Sequence, residues 1–113
     1  MEWTPLTTIA ELDAIDRLSA ERPVLIFKHS TRCSISSAAL GRLEREWTKA
    51  DDERHTAFFL DLLLFRPISN AIAERYGVRH GSPQALVISN GTCIHDAAHF
   101  GITYKGLLAE LGA

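Results

Sequence analysis

Basic residues are in short supply: 12 lysines and arginines against 14 aspartates and glutamates leave a formal charge of −2, and no basic run stands out. The field that gathers phosphates is therefore missing, and nucleic acid is not an expected partner. Long apolar runs are missing too. None reaches the ~20 residues needed to span a bilayer, and the opening MEWTPLTTIAELDAIDR lacks a basic segment followed by an apolar one. The expectation is a soluble, cytoplasmic protein with no membrane partner. Cysteine is scarcer still. Cys33 and Cys93, sixty residues apart, are the only two, too few for a disulfide framework, so each thiol is judged by its own surroundings. Internal repeats, low-complexity segments and linkers are also lacking.

What is there suffices for one core. Over 113 residues, 46% hydrophobic and 23% charged content is ordinary globular composition, and one domain spanning 1–113 is expected. Thr8 and Glu11 make a capping-box pattern ahead of a helix over about 9–20. RPVLIFKHS then gives a continuous apolar run, Val24 to Phe27, which suits a strand covered on both faces. From Ser34 to about Lys49, Ile35, Ala38, Ala39, Leu40, Leu43 and Trp47 recur at helical steps. HTAFFLDLLLF, residues 55–65, reads as a strand, and PISNAIAERYGV as a helix with proline in its first turn. Gln84 to Ser89, Asn90-Gly91 and a return strand from Thr92 predict a hairpin. Thr103 caps a last helix through Leu111. Alternating strands and helices predict an α/β layer structure with a mixed central sheet flanked by helices.

Cys33, in FKHSTRCSIS, falls where the apolar run ends and a helix begins. A small buried thiol is the competing reading, since cysteine is among the most buried residue types. Position favours reactivity: amides at a helix N-terminus and the neighbouring Arg32 both stabilise a thiolate. Ser36, three residues on and on the same helical face, could hydrogen-bond that thiolate, or could simply help cap the first turn; it cannot form a disulfide. The motif is monothiol. His29, His80 and His99 lie in expected loops, where a histidine is commonly solvated. His99 is the strongest of them, because the return strand brings residues 98–101 back toward Ser82-Pro83 and Cys33. Cys93 follows the Asn90-Gly91 turn. Six strand residues extend ~20 Å at ~3.3 Å each, so it should lie at the opposite end of the sheet from Cys33, beyond the ~7 Å that a bridge allows between Cα atoms.

The element order, with a strand ending in Cys-x-x-Ser and a later Ser82-Pro83 opening a hairpin, resembles the thioredoxin-like fold. FKHSTRCSIS, RPISNAIAERYGV, GSPQA and HDAAHFGIT, in that order, resemble more narrowly the YtxJ-type monothiol bacilliredoxins, over about Trp3 to Leu111. Ser34 stands where relatives commonly have proline, Phe100 where they commonly have tryptophan, and Cys93 matches no functional position. The resemblance implies a thiol–disulfide oxidoreductase that removes bacillithiol, or a similar low-molecular-weight thiol, from S-thiolated client proteins. Cys33 would be the nucleophile, with Ser36 and Arg32 supporting it. Bacillithiol is then a co-substrate rather than a bound cofactor, a bacillithiol disulfide reductase system completes the cycle, and no metal is required. The resemblance also implies a cis Ser82–Pro83 bond beside the reactive cysteine, with the backbone of Ser82 free to pair with an extended substrate, His99 nearby, and Gly81 permitting close approach.

Other classes compete. Monothiol glutaredoxins with Cys-Gly-Phe-Ser can share an iron–sulfur cluster, but Ser34 and Ile35 replace that Gly-Phe pair. A redox-silent peptide-binding module would not need the intact Cys-x-x-Ser. A peroxiredoxin pattern would need proline where Ile26 stands.

Overall fold

The computed structural model describes residues 1–112. Strands β1 (Trp3–Pro5), β2 (Val24–His29), β3 (Thr56–Asp61), β4 (Gln84–Ser89) and β5 (Thr92–Ala98) alternate with helices α1 (Ala10–Ser19), α2 (Ser34–Glu46), α3 (Lys49–Arg54), α4 (Arg66–Tyr76) and α5 (Tyr104–Leu111). The strands form one sheet in the order β1-β3-β2-β4-β5. β1 and β2 both run parallel to β3, whereas β4 is antiparallel to β2 and β5 to β4. This is the mixed, helix-flanked sheet that the alternation of patterns predicts.

β2 is buried at all six positions, which is why its sequence reads as a continuous apolar run. Leu25 and Phe27 join Ala39 and Leu43 of α2 and Leu107, Leu108 and Leu111 of α5 in one core. Val24 and Ile26 join Leu12 and Ile15 of α1 and Ile68 and Ile72 of α4 in the other. Removing each such side chain from water contributes ~1.5–3 kcal/mol. The strand is thereby fixed between two layers, and its last two residues inherit opposite faces.

The hairpin forms as expected, with Asn90 at φ 52° and Gly91 at φ 71°, the left-handed pair that a two-residue turn needs. Thr103 caps α5 by accepting the Gly106 N–H. Three local expectations differ, and one strand was not anticipated. The helix from Ser34 ends at Glu46, because Trp47 leaves the helical region and Thr48 and Asp51 form a full capping box that starts α3. The strand over 55–65 stops at Asp61, whose carboxylate accepts the Leu63 N–H and turns the chain. Only half of the Thr8–Glu11 box forms: the Glu11 carboxylate accepts from both the Thr7 and Thr8 amides, and no side chain caps α1. β1 was not legible in the sequence. It is a three-residue edge strand ending in Pro5 and exists through its pairing with β3.

Candidate active site

Cys33 sits where β2 hands over to α2. It is the N-cap of α2, in extended conformation, with its N–H donating to the Ser30 carbonyl at 3.2 Å and its carbonyl accepting from Ser37 at 3.1 Å. No side chain caps α2 and no acidic residue occupies its first turn, so the first-turn amides beside the sulfur have no side-chain acceptor. The thiol is free and half-buried. Arg32, exposed beside it, forms no ion pair among the described residues.

Ser36 is fully buried, and its hydroxyl is engaged with the loop. Its Oγ accepts the Ser30 N–H at 3.0 Å and lies 2.7 Å from Nδ1 of His29. No hydrogen bond joins it to Cys33 among the described residues. Ser36 thus fastens the end of β2 to the first turn of α2 and fixes the loop that carries the cysteine. His29 is not the loop residue expected from sequence. It closes β2, is 5% exposed, and packs its ring 5.4 Å from that of Phe59. Burial holds its pKa below the usual imidazole value, against the opposing pull of the Asp61 and Glu44 charges.

The Ser82–Pro83 bond is cis, and β2 pairs with β4 through Lys28 opposite Gln84, so the Ser82-Pro83 segment enters β4 at the end of the sheet where Cys33 leaves β2. Among the described residues neither the N–H nor the C=O of Ser82 has a backbone partner, and its buried hydroxyl has no partner either. The Pro83 carbonyl accepts from His99 N–H at 3.2 Å. That places His99 beside Pro83, in the left-handed region at φ 56° and with its side chain exposed. A Cβ on Gly81 would come within 3.3 Å of the Ala98 Cβ, so glycine lets the loop pass close against β5.

Lys28 was missed by sequence reasoning. Fully buried at the end of β2, its Nζ donates to the Ser69 carbonyl at 3.1 Å and reaches Nδ1 of His80 at 3.5 Å. Burial pushes its pKa down to about 8, and burial with the Lys28 and Arg66 charges lowers that of His80. Gln84 beside it donates to the Arg79 carbonyl at 2.9 Å. The loop 79–82 before Pro83 is therefore held from beneath by a buried polar cluster. The signal for it was present: a lysine near the end of an otherwise apolar strand.

Cys93 lies at the other end. It pairs with Ile88 next to the hairpin turn, while Ala98 pairs with Gln84. Its thiol donates to the His95 carbonyl at 3.2 Å, and burial pushes its pKa up. Among the described residues no group of three or more His, Cys, Asp or Glu side chains gathers to hold a metal ion, and no helix is long and apolar enough to cross a membrane.

Comparison with known proteins matches residues 4–107 to a family model described as "Monothiol bacilliredoxin BrxC". A solved structure assigned a thioredoxin fold and an inferred oxidoreductase activity superposes with a TM-score of 0.77 at 25% identity, covering 94% of this chain and 90% of its own. The thioredoxin of Malassezia sympodialis superposes with a TM-score of 0.71 at 17% identity over 97% and 88% of the two chains. That of Fasciola hepatica gives 0.71 at 12% identity over 95% and 94%.

Proposed function

The chain belongs to the monothiol bacilliredoxin family, with the thioredoxin fold of an oxidoreductase, and from that premise we propose that it removes bacillithiol, or a similar low-molecular-weight thiol, from protein mixed disulfides. The observation that carries this reading is the pairing of one free, accessible thiol at a helix start with a Ser82 backbone that has no partner among the described residues, at the same end of the sheet. No second sulfur stands within reach: residue 36 is a serine, and Cys93 is at the hairpin turn.

The Cys33 thiolate attacks the small-thiol sulfur of the mixed disulfide. The S–S bond breaks, the client sulfur leaves as a thiolate and takes a proton from water, and a new disulfide joins Cys33 to the small thiol. A second molecule of small thiol, as its thiolate, then attacks the small-thiol sulfur held on Cys33. That step frees Cys33 and yields a symmetrical low-molecular-weight disulfide, which an external reductase returns to two thiols. Ser82 supplies the backbone edge for an extended client segment, Arg32 and the α2 amides favour the attacking anion, and His99 flanks the groove at Pro83.

Intact mass tests this directly. Mixed with a client peptide carrying bacillithiol, the wild-type protein is expected to gain one bacillithiol moiety on Cys33 while the peptide loses it. Cys33→Ser should do neither, a serine hydroxyl being too weak a nucleophile at neutral pH. Modification of Cys93 alone, or undiminished client release by Cys33→Ser, would overturn the mechanism.

A further inference from the structure

A mixed disulfide has two arms, and the sheet order offers Cys33 two sides. β2 lies between β4, which carries the Ser82-Pro83 edge, and β3. On the β3 side a recess of about 410 Å³ is lined by Thr31, Arg32, Asp61, Leu63 and Leu64, within the range of small-molecule sites. Its place in the topology is informative. β2 and β3 are parallel neighbours, yet the chain leaves β2 for α2 on one face and β3 for α4 on the other. Connections that diverge in this way open a crevice beyond the carboxyl ends of the strands, and open α/β sheets bind their ligands there.

The lining is unspent. Arg32 and Asp61 form no ion pair with each other or with any described residue. One Asp61 oxygen accepts the Leu63 N–H at 3.1 Å, and the other has no partner among the described residues. Leu63 and Leu64 are 40% and 74% exposed, outside both cores. The recess of about 430 Å³ between α2 and α5, lined by Arg42, Arg45 and Lys105 among others, includes no residue of the turn that carries Cys33, whereas Thr31 and Arg32 of that turn line the recess beside β3.

We propose that the recess beside Arg32 and Asp61 is the subsite for the small-thiol arm of the mixed disulfide, taking a thiol that carries both a carboxylate and an ammonium or hydroxyl group. This rests on the exchange reading above. Arg32 pairs with the carboxylate, Asp61 accepts from the ammonium or hydroxyl, and Leu63 and Leu64 cover the aliphatic part. The client arm keeps the Ser82 edge, so the two halves of the substrate diverge from the disulfide in opposite directions across β2.

The test uses one client peptide with a single cysteine, prepared as mixed disulfides with 2-mercaptoethanol, 3-mercaptopropionate, cysteamine and cysteine. kcat/KM for peptide release is compared among wild type, Arg32→Gln and Asp61→Asn. Weaker support of the Cys33 thiolate lowers all four rates alike, so the readout is the ratio of each to 2-mercaptoethanol, and comparing variants cancels the intrinsic reactivity of each thiol. Arg32→Gln should reduce the 3-mercaptopropionate ratio about fivefold and leave cysteamine nearly unchanged; Asp61→Asn should do the reverse, and cysteine should suffer in both. Ratios unmoved by both substitutions, with exchange still on Cys33, would overturn the subsite and leave the exchange reading standing. Failure of wild type to exchange any of the four would overturn both.

Discussion

The two cysteines are the same chemical group placed at opposite ends of one sheet. Cys33 stands past the end of a parallel strand, at the head of a helix with no cap, its thiol free and half-exposed. Cys93 stands just after a tight turn, gives its S–H to the carbonyl of His95, and has its pKa raised by burial. What separates them is the end of the sheet: one collects helix amides and an unpartnered backbone edge, whereas the other is closed off by its own hairpin. The exchange proposed for Cys33 therefore rests on position rather than on sulfur alone.

The sharpest way to break the comparison is to remove each sulfur in turn. Cys93→Ala is expected to keep the full exchange rate, and peroxide treatment of monomeric protein should give no Cys33–Cys93 disulfide on peptide mapping. A large rate loss in folded Cys93→Ala, or that bridge, would show that the two ends communicate. Iodoacetamide labelling sharpens it further: Cys33 should alkylate at least about tenfold faster than Cys93 at pH 7, since the thiolate is the nucleophile. Equal rates by mass spectrometry would contradict the distinction.

A smaller effect is expected at Ser36. Ser36→Ala leaves the Ser30 N–H and His29 Nδ1 without their buried partner, at a cost of about 1–3 kcal/mol. The urea midpoint should fall by the amount that the lost partner costs. An unchanged midpoint would mean that the loop carrying Cys33 does not depend on this hydroxyl.

Alkaline stability tests the same contrast by pH, because there the two ends oppose each other. The folded pKa of Lys28 is about 8, below the ordinary lysine value near ~10.4, so between these the unfolded chain holds the extra proton and stability rises with pH. The folded pKa of Cys93 is raised, so above the ordinary thiol value near ~8.5 the unfolded chain loses the proton first and stability falls. In urea titrations from pH 7.5 to 10, Lys28→Met should remove the gain and Cys93→Ala the loss. Slopes that move the other way would reverse the assignment.

Much of the frame was legible because it repeats along the chain. The apolar run of β2, the helical spacing of α1, α2 and α4, and the Asn90-Gly91 turn each announce themselves within a dozen residues. What escaped depends on contacts distant in sequence. Pro5 and its two neighbours become a strand only against β3. Apolar spacing ran on through Trp47, hiding the break that Thr48 and Asp51 impose. At the site, Cys33 and the Ser82-Pro83 segment were visible as motifs, but a serine three residues into a helix gives no sign of being buried against His29. Nor could Leu63 and Leu64, in a leucine run with the composition of a strand, reveal themselves as the wall of a recess once Asp61 turned the chain.

The sheet has two borders, and neither invites a neighbour. One is β1, three residues long and ended by a proline that has no N–H to offer. The other is β5, longer, but broken in register opposite Val87 and Ile88 by an irregularity that twists a strand away from flat pairing, with the exposed carboxylate of Asp96 on it. Under the proposed function the Ser82 backbone receives an extended client segment, and a protein built to do so is exposed to adhesion by copies of itself. Blunted rims would then confine strand-like capture to that one groove and disfavour stacking of copies along the sheet.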